Sequence, residues 1–312
     1  MSDGGRVDHS PWSSSFSRRA LLRGAALTAA ALGLPASLWA LGDDPDHERL
    51  TDWSARLRAE GLSAAEVPLG RSVVRVGELA TGSPYVPGTI DAYLASGTLR
   101  PTPEPLTLSL TRFDCVTLVE SCLAVSRAAR QAGPPTWDDF GREVERMRYR
   151  GGVHQGYASR LHYFSEWISD GATRGLVRDL GPELGAVDDN RPLRFMTEHR
   201  GSYPALSDDA VYAEIGTMER WLDGAVRRVI PTERIADVAN GIETGDVLAF
   251  ATATPGLDVT HAAMAYREGD GTLRVLHAPL SGGVVEVSRL ALPEYVATIR
   301  RATGVMVARP MR

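Results

Sequence analysis

One cysteine and two histidines carry the chemistry that this chain of 312 residues offers. Cys115 follows Asp114, a helix N-cap type, and apolar residues then recur at 115, 118, 119, 122, 123 and 125, the stripe of a buried helix. A thiol in the first turn of a helix faces free backbone N–H groups and the positive end of the dipole. Both favour the thiolate, so Cys115 is a candidate nucleophile. The competing use of such a residue is as an inert, buried thiol. Cys122 lies two turns further on, its Cα about 10 Å from that of Cys115, too far for a disulfide, and takes that core role.

His261 begins the stretch THAAMAY and His277 ends LRVLHA, with REGDGT (Arg267 to Thr272) between them. In an antiparallel hairpin centred on Gly269 the two are directly opposed, with Cβ atoms about 5 Å apart. One histidine can then take the thiol proton while the other holds its second ring nitrogen and fixes its tautomer, and the spacing allows either order. Zinc is the rival use of one Cys and two His. The sequence has no Cys-x-x-Cys or His-x-x-x-His spacing, so neither a metal nor another cofactor is expected. A Gly-x-Ser-x-Gly elbow is also missing, which argues against a serine hydrolase.

Composition narrows the classes further. All 34 basic residues are Arg, and a chain without Lys can neither form a Schiff base with pyridoxal phosphate nor complete a Gly-Lys-Ser/Thr phosphate loop. A formal net charge of -5 gives no basic field, so nucleic acid is not an expected partner.

The elements that must position these residues fall into two blocks. Amphipathic helices are expected at Asp46 to Glu60, with Leu50, Trp53 and Leu57 on one face, and at Gly70 to Ala80. TGSPYVPGT (Thr81 to Thr89) and RPTPEPL (Arg100 to Leu106) are turn-rich, and a short extended segment at Leu106 to Leu110 leads into the cysteine helix. Further helices are expected from Thr136, which has Asp139 at capping-box spacing, over roughly Ser159 to Ser169, and after Ser207, where Val211, Ile215, Met218 and Leu222 share a face. After Gly245 the pattern changes to period two, in GDVLAF, THAAMAY, LRVLHA, GVVEVS and GVMVA. Helices followed by adjacent short strands predict an α+β fold with an antiparallel sheet.

The N-terminus reads as an address. From Ser17 the chain runs SRRALLRGAALTAAALGLPASLWA, a twin-arginine pair before an uncharged stretch from Gly24 to Gly42, with a cleavage region near Ala36 to Ala40. A retained anchor is the alternative, but the stretch is only marginally apolar for a stable membrane span. The expected organisation is a twin-arginine signal peptide over 1–40, an N-terminal helical segment over 41–80, and a catalytic domain over 81–312 with a helical insertion at about 137–240. The expected location is exported, periplasmic or cell-envelope, with the twin-arginine export machinery as a partner.

SPYVPGT (Ser83 to Thr89), RFDCVTLVE (Arg112 to Glu120), GDVLAF, THAAMAY and VLHAPLSGGVVEV (Val275 to Val287) stand in the order seen in the NlpC-type papain-like cell-wall cysteine hydrolases, which the chain resembles. GYASRLHYFSEW (Gly156 to Trp167) resembles more narrowly the N-acetylmuramoyl-L-alanine amidase-like branch. The resemblance implies a papain-like fold, with the helix bearing the cysteine packed on an antiparallel sheet. It also implies Cys115 as nucleophile, His261 as base and acid, His277 as the orienting third member, and Tyr85 in the cleft, where Asp114 is a further candidate for binding substrate. The implied reaction cuts the amide between N-acetylmuramic acid, or its anhydro form, and L-Ala of small peptidoglycan fragments (muropeptides). Alternatives are a γ-D-Glu endopeptidase, a wall-binding module and an acyltransferase. Within the insertion, Arg160 is a candidate partner for a stem-peptide carboxylate, Tyr157 and Tyr163 are candidates for stacking on sugar, and Ser159 lies beside them. Replacing Arg18 and Arg19 together by Lys is expected to hold the precursor in the cytoplasm, as fractionation would show; undiminished export would overturn the twin-arginine reading.

Overall fold

The structure, a computed structural model, describes residues 44–96, 104–280 and 283–312, and the expected signal peptide lies outside them. Helix α1 (Pro45–Ala59) begins where the Asp44 side chain accepts from the Asp46 N–H and Pro45 takes the first helical position. Its Leu50, Trp53 and Leu57 share one apolar core with Leu69, Val73 and Val76 of α2 (Leu69–Leu79). Helices α3 (Cys115–Ala128) and α4 (Trp137–Arg148) each open on a reciprocal capping box, Asp114 with Thr117 and Thr136 with Asp139. The remaining helices are α5 (Phe164–Thr173), α6 (Phe195–Glu198), α7 (Asp209–Leu222), α8 (Ile235–Val238) and α9 (Leu292–Thr298).

The strands are β1 (Val177–Asp179), β2 (Val187–Asp189), β3 (Arg227–Pro231), β4 (Val247–Thr252), β5 (Val259–Arg267), β6 (Leu273–His277), β7 (Glu286–Val287) and β8 (Ala302–Pro310). They form one antiparallel sheet in the order β2-β3-β8-β4-β5-β6-β7, with β1 also paired to β8. The expected α+β class with an antiparallel sheet is therefore observed. Period-two alternation distributes the side chains of the central strands over two cores. Val247, Ala249, Ala251, Ala262 and Met264 join the α3 side, whereas Leu248, Phe250, Ala263 and Ala265 join Leu292 and Val296 of α9. Both faces of the sheet are covered, which is why all six residues of β4 are buried.

Two expectations need correction. The segment 137–240 is not wholly helical, since it also supplies β1, β2 and β3. The stretch Ser159 to Ser169 is not one helix either: Tyr157–Ser159 forms a 3-10 turn, Arg160 pairs with Tyr149 in an isolated antiparallel bridge, and α5 starts only at Phe164. Among the described residues no helix is long and apolar enough to cross a membrane.

The turn into β4 carries a tight backbone contact. Gly245 has φ of +88°, and a Cβ there would collide with the backbone of Gly70 at the start of α2. Gly245→Ala should therefore cost about 2 kcal/mol or more of stability, measured by denaturant unfolding, with no change in the residues of the site itself.

Candidate active site

The sequence places Cys115 at the first position of α3, and the fold turns that position toward β5. Asp114 caps the helix: its carboxylate accepts from the Thr117 N–H at 2.8 Å, and the Thr117 hydroxyl oxygen accepts from the Asp114 N–H at 2.8 Å. The cysteine keeps part of its surface open to solvent. Helix α3 packs on β5, and the backbone N–H groups of Ala262, Cys115 and Val116 are near enough to the sulfur to favour its thiolate. Ala262 directly follows His261, so the thiol lies against the strand that carries the histidine.

The expected lowering of the thiol pKa is not found. Burial, followed by the negative charge of Asp114, pushes Cys115 up to about 12, and the three amides only partly oppose this. The dipole argument omitted the capping carboxylate, which sits at the same helix end and has the opposite effect on the thiolate.

The two histidines do meet. His261 Nε2 lies 2.9 Å from His277 Nδ1, with the rings edge to face at 5.1 Å. Their register differs from the expected one. Met264 pairs with Leu276 and Ala265 with Val275, which extends to His277 opposite Ala263, so His261 is its diagonal neighbour. The reason is the turn, which closes by the Glu268 N–H donating to the Thr272 carbonyl and centres the hairpin on Asp270. A shift of two residues keeps both side chains on one face, which is why the contact survives. A bulge also adjusts His261: Phe250 pairs with it but Ala251 pairs with Val259, leaving Thr260 as the extra residue. Burial holds His261 down to about 3, with the His277 charge adding to the effect, and burial holds His277 down to about 4, so both are neutral bases near pH 7.

Two residues that the motif spacing did not reveal complete this pocket. Phe250 stacks on His261 at 5.7 Å between ring centres. Tyr295, on α9, places its hydroxyl 3.1 Å from His277 Nδ1, and burial followed by the charge at Cys115 raises its pKa. A lone Tyr in a seven-residue helix gives no spacing signal.

The candidate substrate residues divide. Tyr85 is held beside the cysteine by its bridge to Phe113 and by its N–H donating to Gly283 at 2.8 Å. Burial, followed by the charges of Cys115 and Asp114, pushes its phenol up to about 12. Helix α1 ties these loops together: Arg49 donates to Ser83 Oγ and to the Leu110 carbonyl, and Asp46 accepts from the Leu110 N–H.

Tyr157, Ser159, Arg160 and Tyr163 have internal work instead. Arg160 is 7% exposed and pairs with Asp91 at 2.5 Å and Glu104 at 2.9 Å, with its guanidinium over the Tyr157 ring, so it is not open to a stem-peptide carboxylate. Tyr163 is 1% exposed and donates to Glu219, which rules out stacking on a sugar in this conformation. Tyr157 is buried against His162 as well as Arg160. Ser159 accepts from Gly156 N–H and donates to the Gly156 carbonyl, and it lines a groove of about 720 Å³ shared with Gln155, Glu214 and Trp221. Among the described residues no group of three or more His, Cys, Asp or Glu is placed to hold a metal ion.

Comparison with solved structures finds an N-acetylmuramoyl-L-alanine amidase from Bacteroides uniformis, 28% identical with a TM-score of 0.70 over 78% of this chain and 99% of that one. A Bacteroides fragilis protein named as a xylanase is 32% identical, with a TM-score of 0.68 over 75% of this chain and 99% of that one. A Legionella pneumophila protein at 15% identity shares the fold, with a TM-score of 0.61 over 85% of this chain and 94% of that one. Comparison with curated protein sequences gives no match. The family model described as N-acetylmuramoyl-L-alanine amidase-like matches residues 75–305, most of the chain, and the protein belongs to this AmiA-like family.

Proposed function

We propose that the protein is an exported cysteine amidase that hydrolyses the bond between the lactyl carbonyl of N-acetylmuramic acid, or its anhydro form, and L-Ala of peptidoglycan stem peptides, on an NlpC-type papain-like arrangement. The observation that carries this reading is the packing of α3, which begins at Cys115, against β5, which carries His261, while His277 meets the Nε2 of that histidine. The twin-arginine pair of the sequence supports delivery to the periplasm or cell envelope, where such fragments arise.

At rest the thiol and both imidazoles are neutral, so the thiol is activated as it reacts. His261 Nδ1 takes the thiol proton as sulfur attacks the amide carbon, and the imidazolium keeps its Nε2–H on His277. The carbonyl oxygen becomes an oxyanion, for which the N–H groups of Cys115 and Val116 at the start of α3 are the local donors. His261 then protonates the leaving amine of L-Ala, and the C–N bond breaks to leave a thioester. Water, deprotonated by the same histidine, hydrolyses the thioester and restores the thiol.

Glycoside hydrolysis, the activity in the name of the Bacteroides fragilis neighbour, uses two carboxyl groups facing one bond. Asp114, the acid beside Cys115, is committed to the helix cap, so amide chemistry fits this site better. The second reading kept open is cleavage after γ-D-Glu within the stem, with the same residues in the same roles.

Mass spectrometry of defined muropeptides should show release of the intact stem peptide by the mature protein, and at least a thousandfold loss in Cys115→Ala. Fragments cut inside the stem would move the function to the endopeptidase, and no cleavage at all would overturn the hydrolase reading. Because His261 and His277 stay neutral above about 3 and 4, kcat/KM should be level between pH 5 and pH 7 and fall only as those values are approached from above. Asp114→Asn keeps a good N-cap and removes the charge that opposes the thiolate, so the Cys115 pKa should fall and alkylation by iodoacetamide at fixed pH should be faster.

A further inference from the structure

The contact between the two histidines has a direction, and the direction decides whether His261 is a base. Two ring nitrogens 2.9 Å apart share one proton, either on His261 Nε2 or on His277 Nδ1. If His261 carries it on Nε2, its Nδ1 is bare and can take the thiol proton. If His277 carries it on Nδ1, neutral His261 must hold its own proton on Nδ1 and has nothing to accept with.

The pair alone does not favour the useful arrangement. His277 is 1% exposed, and its Nε2 has no hydrogen-bond partner among the described residues. Placing the His277 proton on Nε2, as catalysis needs, leaves a buried N–H without an acceptor among the described residues, and the other arrangement leaves a bare nitrogen there, so that end of the ring does not decide between them.

We infer that Tyr295 is a positioning residue that sets the tautomer of the histidine pair by donating its hydroxyl proton to His277 Nδ1. The hydroxyl oxygen is 3.1 Å from that nitrogen, and among the described residues Tyr295 makes no other side-chain hydrogen bond. With Nδ1 bare, its one lone pair is shared by two donors, His261 Nε2–H and Tyr295 O–H, and the hydroxyl proton has an acceptor. With Nδ1 protonated, one donor faces two acceptors and makes one bond, and the Tyr295 proton turns away. Among the described residues the buried hydroxyl proton therefore has an acceptor in the productive arrangement alone. The Tyr295 ring stands edge-on to His277 at 5.0 Å and tilted against Phe250 at 5.5 Å, which fixes the direction of the phenol.

The consequence for rate rests on the amidase reading above, but the tautomer does not, so the two can fail separately. In protein labelled with 15N-histidine at pH 7, the ring nitrogen shifts should report the Nε2–H form of His261 in the parent. In Tyr295→Phe, which keeps the ring, the Nδ1–H form should become populated, with kcat on a muropeptide about tenfold lower and KM within twofold. If Tyr295→Phe does not fold, 3-fluorotyrosine at position 295, a stronger donor of the same shape, should move the ratio further toward Nε2–H. An unchanged tautomer ratio in the folded variant, whatever happens to kcat, would overturn the inference. A shifted ratio in a protein whose parent cleaves no muropeptide would uphold it and reject the amidase reading instead.

Discussion

Everything in the site depends on the first turn of α3 resting against β5. That contact brings a sulfur to the amide of Ala262, and with it to the histidine one residue earlier, although 146 positions of chain separate Cys115 from His261. The Asp114–Thr117 box fixes where α3 begins, and β5 cannot slip because β4 and β6 pair with it on both sides. The sheet is covered on both faces, so the histidine side chains sit in a packed layer with Phe250 and Tyr295 rather than at a solvated edge. Burial of that kind keeps the imidazoles neutral. The same burial leaves the thiol protonated, so thiol and imidazole rest as neutral partners rather than as a standing ion pair.

Most of this framework was legible in the sequence because it is local. The apolar stripe after Asp114, the Thr136 and Asp139 spacing and the period-two runs after Gly245 each report on a few neighbouring residues, and each formed where expected. The meeting of His261 and His277 was also legible, since a hairpin constrains both strands at once. Its register was not: Asp270 rather than Gly269 became the centre, and no propensity distinguishes two adjacent turn residues in REGDGT. The bulge at Thr260 and the approach of Tyr295 were out of reach for the same reason, being set by packing between distant elements.

The insertion misled for a physical reason that generalises within this chain. Arg160, Tyr157 and Tyr163 are the residue types that bind sugars and carboxylates, and they are equally the types that bridge buried polar groups. With Lys absent, every cation of the interior is a guanidinium, able to reach several acceptors at once. Arg148 joins Glu120 of α3 to the Thr107 carbonyl, while Glu104 collects Tyr93, Tyr149 and Arg160. These pairs stitch the cysteine helix to the insertion, and removing one partner would strand a buried charge.

Helix α1 limits where a processing cut could fall without loosening the site. Its Asp46 and Arg49 grip the two loops that present Tyr85 and Asp114, and its first turn is closed by Asp44. A processing cut upstream of Asp44 leaves that clasp whole. A cut only a few residues later removes the cap and the Asp46 carboxylate together, and the loops on either side of the cysteine lose the brace that keeps them at a fixed separation. The expected cleavage region ends at Ala40, three residues short of Asp44, so a cut there would leave the brace whole.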